Sequence, residues 1–164
     1  MVAKDPKTLE PIPAVAKEWS ISKDKKTYTF KIRESALWSN GDTLTAHDFV
    51  WSWWRALQPK LGNQYAYMLF PIENSENYAK GKISDFSLVG VKALDDLTLQ
   101  VKLSNPTPYF LQLLDHYSMY PLHKATIEKF GKAHERGTLW TRPGNFIGNG
   151  PFILKEWRLF KSID

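Results

Sequence analysis

Hydrophobic and polar positions alternate over Thr27–Ile32, with Tyr28, Phe30 and Ile32 on one face, which predicts a half-buried strand. Two further alternating runs, Val89–Ala93 and Leu97–Leu103, flank Leu94-Asp95-Asp96. They predict a β-hairpin with Leu97, Leu99, Val101 and Leu103 facing inward. Between these runs the period changes. From Ala46 to about Leu57, residues Val50, Trp53, Trp54 and Leu57 fall on one face at about 100° per residue, flanked by Phe49 and Trp51, as in an amphipathic helix. Thr45 and Asp48 place a hydroxyl and then an acid where a capping box starts a helix, and Pro59 and Gly62 stop it. Shorter helices are predicted at Ser75–Lys80, at Tyr109 to about Asp115, and at Leu122–Phe130, the last closed by Gly131.

The intervening stretches read as connections. Leu9–Ala16, broken by Pro11 and Pro13, predicts an extended arm, and Asp24-Lys25-Lys26 a turn. Asn40-Gly41 suits a tight turn with positive φ. Residues 132–150 are glycine-rich and lack periodicity, which predicts a loop, and Phe152–Trp157 reads as a final strand. There is no βαβ rhythm and no internal repeat. The expected fold is α+β: a hairpin, a lone strand at each end and three or four helices.

Composition narrows the function classes. The 164 residues are 43% hydrophobic and 24% charged, ordinary for a chain that builds a core. Cysteine is absent, which removes disulfides, thiolate metal sites and thiol nucleophiles. Aromatics reach 14%, with 7 Trp, 7 Tyr and 9 Phe. The net charge of +5 is unevenly placed: residues 1–33 carry +4, residues 34–120 carry −3 and residues 121–164 carry +4. A nucleic-acid groove needs cations interleaved with stacking aromatics, and here the tryptophan-rich middle is acidic, so no nucleic-acid partner is expected. No window of about 18 apolar residues suggests a membrane span. The start Met1-Val2-Ala3-Lys4-Asp5-Pro6 lacks the apolar stretch of an export signal. That fits a cytoplasmic protein, a chain beginning after its signal, or a start inside a longer protein.

Tests for chemistry are mostly negative. His47, His116, His123 and His134 show no metal-binding spacing, so surface or capping roles are expected and no metal or cofactor. No Gly-x-Ser-x-Gly elbow is present, and adjacent His47 and Asp48 point to different helix faces. Asp95-Asp96 fit turn chemistry better than paired catalytic carboxylates. Gly148-Asn149-Gly150 lacks the third glycine and the following helix of a dinucleotide fingerprint, and reads as a positive-φ turn feeding a strand. Trp53 and Trp54 share the apolar helix face and suit core packing. Tyr65 and Tyr67 instead follow a glycine loop, where a ring face and a hydroxyl can meet a ligand. No enzyme activity is expected.

Taken together, Tyr28-Thr29-Phe30-Lys31-Ile32-Arg33, Trp38-Ser39-Asn40-Gly41 and Thr45-Ala46-His47-Asp48-Phe49-Val50-Trp51-Ser52-Trp53 form a longer signature. It continues through Gly90-Val91-Lys92-Ala93-Leu94-Asp95-Asp96, Leu103-Ser104-Asn105-Pro106-Thr107-Pro108-Tyr109-Phe110 and Glu128-Lys129-Phe130-Gly131. It ends at Asn149-Gly150-Pro151-Phe152-Ile153-Leu154-Lys155-Glu156-Trp157. This series resembles the extracytoplasmic solute-binding proteins of peptide ABC importers, the OppA-type oligopeptide-binding family (family 5), over roughly residues 10–157. The resemblance implies a two-lobed periplasmic binding protein with a small extra domain on its first lobe.

On that likeness residues 1–33 are a first-lobe segment with its leading strand, 34–140 the small α+β domain, and 141–164 a truncated return strand. The second lobe has no counterpart here, so the chain is expected to be a fragment that binds peptide weakly or not at all. The implied partners are an oligopeptide ligand and an ABC permease, and the implied location of the full-length protein is periplasmic or cell-surface. The resemblance also implies a ligand contact: a tyrosine in a Tyr-Ala context offered to the peptide main chain, matched by Tyr65-Ala66, with Tyr67 close by. The alternative is a self-standing interaction module whose aromatic-rich surface binds a protein partner or a second copy of itself.

Overall fold

The computed structural model describes residues 1–158 and the backbone of residues 162–163. The proline-broken arm is extended and finds a partner: β1 (Val2–Lys4) pairs antiparallel with β2 (Pro11–Pro13). Next come β3 (Ala16–Ile21) and β4 (Thr27–Ile32), joined by a turn in which Lys25 adopts φ 58°. β4 is not a lone strand. It lies inside a four-stranded antiparallel sheet that also takes in the hairpin of β5 (Val91–Asp95) and β6 (Thr98–Lys102). β3 was not predicted because it is an edge strand, with Ala16 buried, Trp19 half-buried and the rest exposed, so no period of two marks it.

Helix α1 (Ala46–Ala56) begins as expected. The Asp48 carboxylate accepts the Thr45 backbone N–H at 2.8 Å, and the Ala46 N–H donates to the Asp96 carbonyl at 2.8 Å, tying the helix to the hairpin turn. Its buried face is Ala46, Phe49, Ser52 and Trp53, followed by Leu57, while Val50 and Trp54 are half-buried. The helix is therefore rotated from the predicted face, because it meets the sheet on one side and the stretch Met119–Leu122 on the other. That second contact includes the Trp53 indole N–H donating to the Met119 carbonyl at 3.1 Å. Helix α2 (Ser75–Ala79) ends at Lys80, before Gly81 with φ 69°.

The hairpin is β5 (Val91–Asp95) and β6 (Thr98–Lys102), and the sheet order is β3-β4-β6-β5. In register, Phe30 faces Leu99 and Tyr28 faces Val101, so the inward face of β4 meets that of β6. Leu99, Val101 and Leu103 are buried, and Leu97 is only half-buried at the turn. The Asp95 carboxylate accepts the Leu97 N–H at 2.8 Å, the turn role expected of it.

Helix α3 is one turn, Phe110–Leu113, and its buried Phe110 reaches Tyr28 with ring centroids 4.9 Å apart. Helix α4 (Lys124–Phe130) starts after His123, two residues later than predicted. Gly131 ends it with extended backbone (φ 160°) rather than a left-handed cap. A side chain there would run into Glu135 and Thr138.

The carboxy-terminal reading needs correction. Residues 152–156 form no ladder, and Phe152 is 86% exposed, because no strand among the described residues lies beside them. Only β7 (Trp157–Arg158) pairs, with β8 (Ser162–Ile163). Gly148 and Gly150 lie outside the left-handed region, so the expected positive-φ turn is absent. Residues 159–161 and 164 of the expected return segment lie outside the described residues.

Candidate functional site

The loop after α1 is built to present Tyr65. Pro59–Leu61 makes one 3-10 turn, and Gly62 reverses the chain in the left-handed region (φ 58°, ψ 44°), which a glycine tolerates without strain. Asn63 then fastens the loop from both ends of its amide. Its Nδ2 donates to the Ala56 carbonyl at 3.2 Å, and its Oδ1 accepts the Tyr65 N–H at 3.0 Å. Beyond Tyr65 a second 3-10 turn, Ala66–Leu69, drops Leu69 into the core. Tyr65 is left 38% exposed on a fixed backbone.

Opposite stands the 3-10 turn Tyr117–Met119, capped by His116, whose Nδ1 accepts the Ser118 N–H at 3.2 Å. The Tyr65 ring sits 5.2 Å from that of His116 and 5.3 Å from that of Tyr117, centroid to centroid, with Tyr67 farther off at 6.2 Å. Hydrogen bonding to the Tyr65 hydroxyl, with burial second, pushes the Tyr117 phenol up to about 12. A neighbour that raises a phenol's pKa favours its protonated form, so the two phenols are electrostatically linked.

Beside this cluster opens a cavity of about 480 Å³. Arg55, Asn63, Gln64, Tyr65, Tyr117 and Arg136 line it, together with Ser118 and other side chains, and none of the lining residues is acidic. Arg136 braces the rim: its Nε donates to the Leu61 carbonyl at 2.6 Å and a terminal nitrogen donates to the Gly62 carbonyl. Tyr67, 53% exposed, does not line it.

The remaining candidates are scattered. His47 lies 3.4 Å from Asp96, and His123 caps α4 while its Nε2 meets Asp42 at 2.9 Å. Among the described residues no group of three or more His, Asp or Glu side chains is placed to hold a metal ion. Trp53 is buried in the core and Trp54 half-buried, tilted against half-buried Trp51 at 6.0 Å. Tyr117, His116, Arg55 and Arg136 were not nominated from sequence. His116, Tyr117 and Arg136 lie far from Tyr65 along the chain, Arg55 sits on the preceding helix, and no local motif marks any of them as part of a site.

The geometry can be set beside known proteins. The family model of bacterial extracellular solute-binding proteins, family 5 (middle), matches residues 10–163. The periplasmic oligopeptide-binding protein OppA of Escherichia coli is 46% identical over 157 residues, covering 93% of this chain and 27% of that protein. The substrate-binding domain of an oligopeptide ABC transporter from Bacillus anthracis superposes with a TM-score of 0.87 at 43% identity, over 96% of this chain and 29% of the other. Listeria monocytogenes OppA bound to peptide superposes with a TM-score of 0.86 at 39% identity, over 95% and 30%. The chain thus spans less than a third of the length of these relatives. With the match running through almost all of its residues, the chain belongs to the bacterial extracellular solute-binding proteins, family 5.

Proposed function

We propose that this chain is a portion of a binding protein that captures oligopeptides outside the cytoplasm for import by an ABC transporter, with Tyr65 as a contact to the peptide main chain. The observation that carries the reading is its 46% identity to a periplasmic oligopeptide-binding protein across 93% of the chain. The relatives are binding proteins and not enzymes, and the mechanism is non-catalytic: two lobes close over a ligand and shift an open–closed equilibrium.

Tyr65 suits that task on physical grounds. It is presented by a braced loop on the wall of a cavity, with its ring beside that of Tyr117 and its hydroxyl on an exposed side chain. A phenol donating to a peptide carbonyl reads the backbone and not the side chain, as a receptor for varied sequences requires. We assign residues 1–33 and 141–164 to the first lobe and 34–140 to the small α+β domain it carries. The pairing of β4 with β6 joins residues 1–33 to residues 34–140.

One lobe's portion cannot enclose a ligand, so the 164-residue chain alone binds peptide only weakly. Calorimetry with mixed tri- to pentapeptides tests this. The expected result is no saturable heat at micromolar peptide, and a micromolar, saturable isotherm contradicts it.

A further inference from the structure

The cavity beside Tyr65 carries charge that a peptide main chain does not call for. Two guanidinium groups line it and no carboxylate does. Arg136 is already committed to two backbone carbonyls. Arg55 is different: among the described residues it forms no ion pair, and its Nε is buried with no acceptor in reach. A half-buried cation without a counter-charge sits in an unfavourable position unless something compensates it. Burial accordingly lowers the Arg55 pKa.

Its placement in the fold compensates it partly. Arg55 lies in the last turn of α1, where the helix dipole favours a cation. Its guanidinium carbon sits 5.9 Å from the centre of the Trp140 ring, and Trp140 in turn stacks on Phe146 at 6.0 Å and 26°. The group is thus held against a stacked aromatic pair and contributes to the cavity wall. Around it the lining supplies neutral polar groups from Asn63, Gln64, Tyr65 and Ser118. A planar guanidinium backed by an aromatic ring and ringed by neutral polar groups is the arrangement that recognises a carboxylate.

We propose that this cavity is a subsite for a carboxylate of the bound peptide and that Arg55 is its recognition group. The inference rests on the reading that Tyr65 meets the peptide, since that contact puts the ligand at the mouth of this cavity. A glutamate or aspartate side chain and a peptide carboxy-terminus present the same chemistry to Arg55. The volume, about 480 Å³, accommodates either with room for bridging water.

Nitrogen-15 NMR of the 164-residue chain tests the proposal by following the Arg55 Nε–H, the Trp140 indole N–H and the Tyr65 amide. The probes are N-acetyl-glutamate N-methylamide, its glutamine counterpart, N-acetyl-alanine with a free carboxylate, and N-acetyl-alanine N-methylamide. Arg55 and Trp140 signals are expected to shift saturably, with the glutamate probe binding about tenfold more tightly than the glutamine probe. The free-acid alanine against the glutamate probe shows which carboxylate source is preferred. Arg55→Gln is expected to abolish the preference and Arg55→Lys to retain part of it.

Equal binding of the glutamate and glutamine probes overturns the proposal, and so does a preference that survives Arg55→Gln. The comparison of probes on the unmodified chain stands even if a variant misfolds. Tyr65 shifts from neutral probes without any carboxylate preference sink the subsite and leave the peptide contact intact. Absence of any Tyr65 shift sinks the peptide contact itself.

Discussion

The rings of Tyr65 and Tyr117 meet edge to face, with centroids 5.3 Å apart and 74° between their planes. One belongs to the braced loop after α1 and the other to a one-turn helix far along the chain, so the pair locks two connections together at the cavity. The chemistry of one phenol therefore depends on the other.

That dependence is measurable by phenolate absorbance. The Tyr117 phenol is raised from its ordinary 10.0 to about 12, first by hydrogen bonding to Tyr65 and then by burial. Tyr65→Phe is expected to move the late-titrating phenol back toward 10.0, and an unchanged titration would contradict the coupling. The sign for stability follows. A folded-state pKa above the unfolded one means the unfolded chain loses its proton first, so this contribution is complete below pH 10.0 and is lost as pH rises toward about 12.

His123 joins two distant turns and is expected to be costly to remove. Its Nδ1 lies 3.3 Å from the Thr126 N–H nitrogen and its Nε2 meets Asp42 at 2.9 Å, so one ring ties the start of α4 to the turn at Asp42. His123→Ala is expected to lower stability by about 1–3 kcal/mol in urea titration, while His123→Asn, which can still cap, loses less. The Asp42 carboxyl is held below its usual range by Asn40 first and His123 second. The alanine variant should therefore raise the Asp42 pKa only partway. Equal stability of the alanine variant and the parent would remove His123 from this account.

Gly90 sits where three backbones converge. Its N–H donates to the Glu73 carbonyl, its carbonyl accepts the Lys102 N–H at 2.7 Å, and Glu73 N–H donates to the Lys102 carbonyl. A methyl group there would collide with the Lys102 carbonyl oxygen and press on the Glu73 side chain. Gly90→Ala is expected to cost about 1–3 kcal/mol in thermal or urea unfolding, through displacement of β6. Gly41→Ala tests a different mechanism. Nothing lies within 4 Å of a side chain there, so its cost is backbone strain at φ 89° alone.

The parts of the fold that were legible share a physical cause. β4 and β6 have one wet and one dry face, so Tyr28-Thr29-Phe30 and Leu99-Gln100-Val101 show a clean period of two. β3 has one buried residue and an open edge, and leaves no such trace. Phe152-Ile153-Leu154 misled because apolar composition marks a strand only where a neighbour offers a ladder, and none stands beside it among the described residues. The rotation of α1 was ambiguous in the same way, since Phe49, Val50, Trp51, Trp53 and Trp54 are apolar on nearly every side and tertiary packing chose among them. At the cavity, Tyr65 is the residue that the family resemblance marks by its Tyr-Ala context. Tyr117 and Arg55 carry no such mark, because only the fold brings their separate elements to the same cavity.

The central claim is that Tyr65 offers a main-chain contact to peptide, and a neutral ligand tests it most directly. Capped trialanine, which carries no side-chain functional group, is titrated into the 164-residue chain and followed by nitrogen-15 NMR. The account expects weak, millimolar shifts at Tyr65, its neighbours Gln64 and Ala66, and Tyr117, much reduced in Tyr65→Phe. Shifts centred elsewhere, no shifts at all, or shifts indifferent to Tyr65→Phe would contradict it.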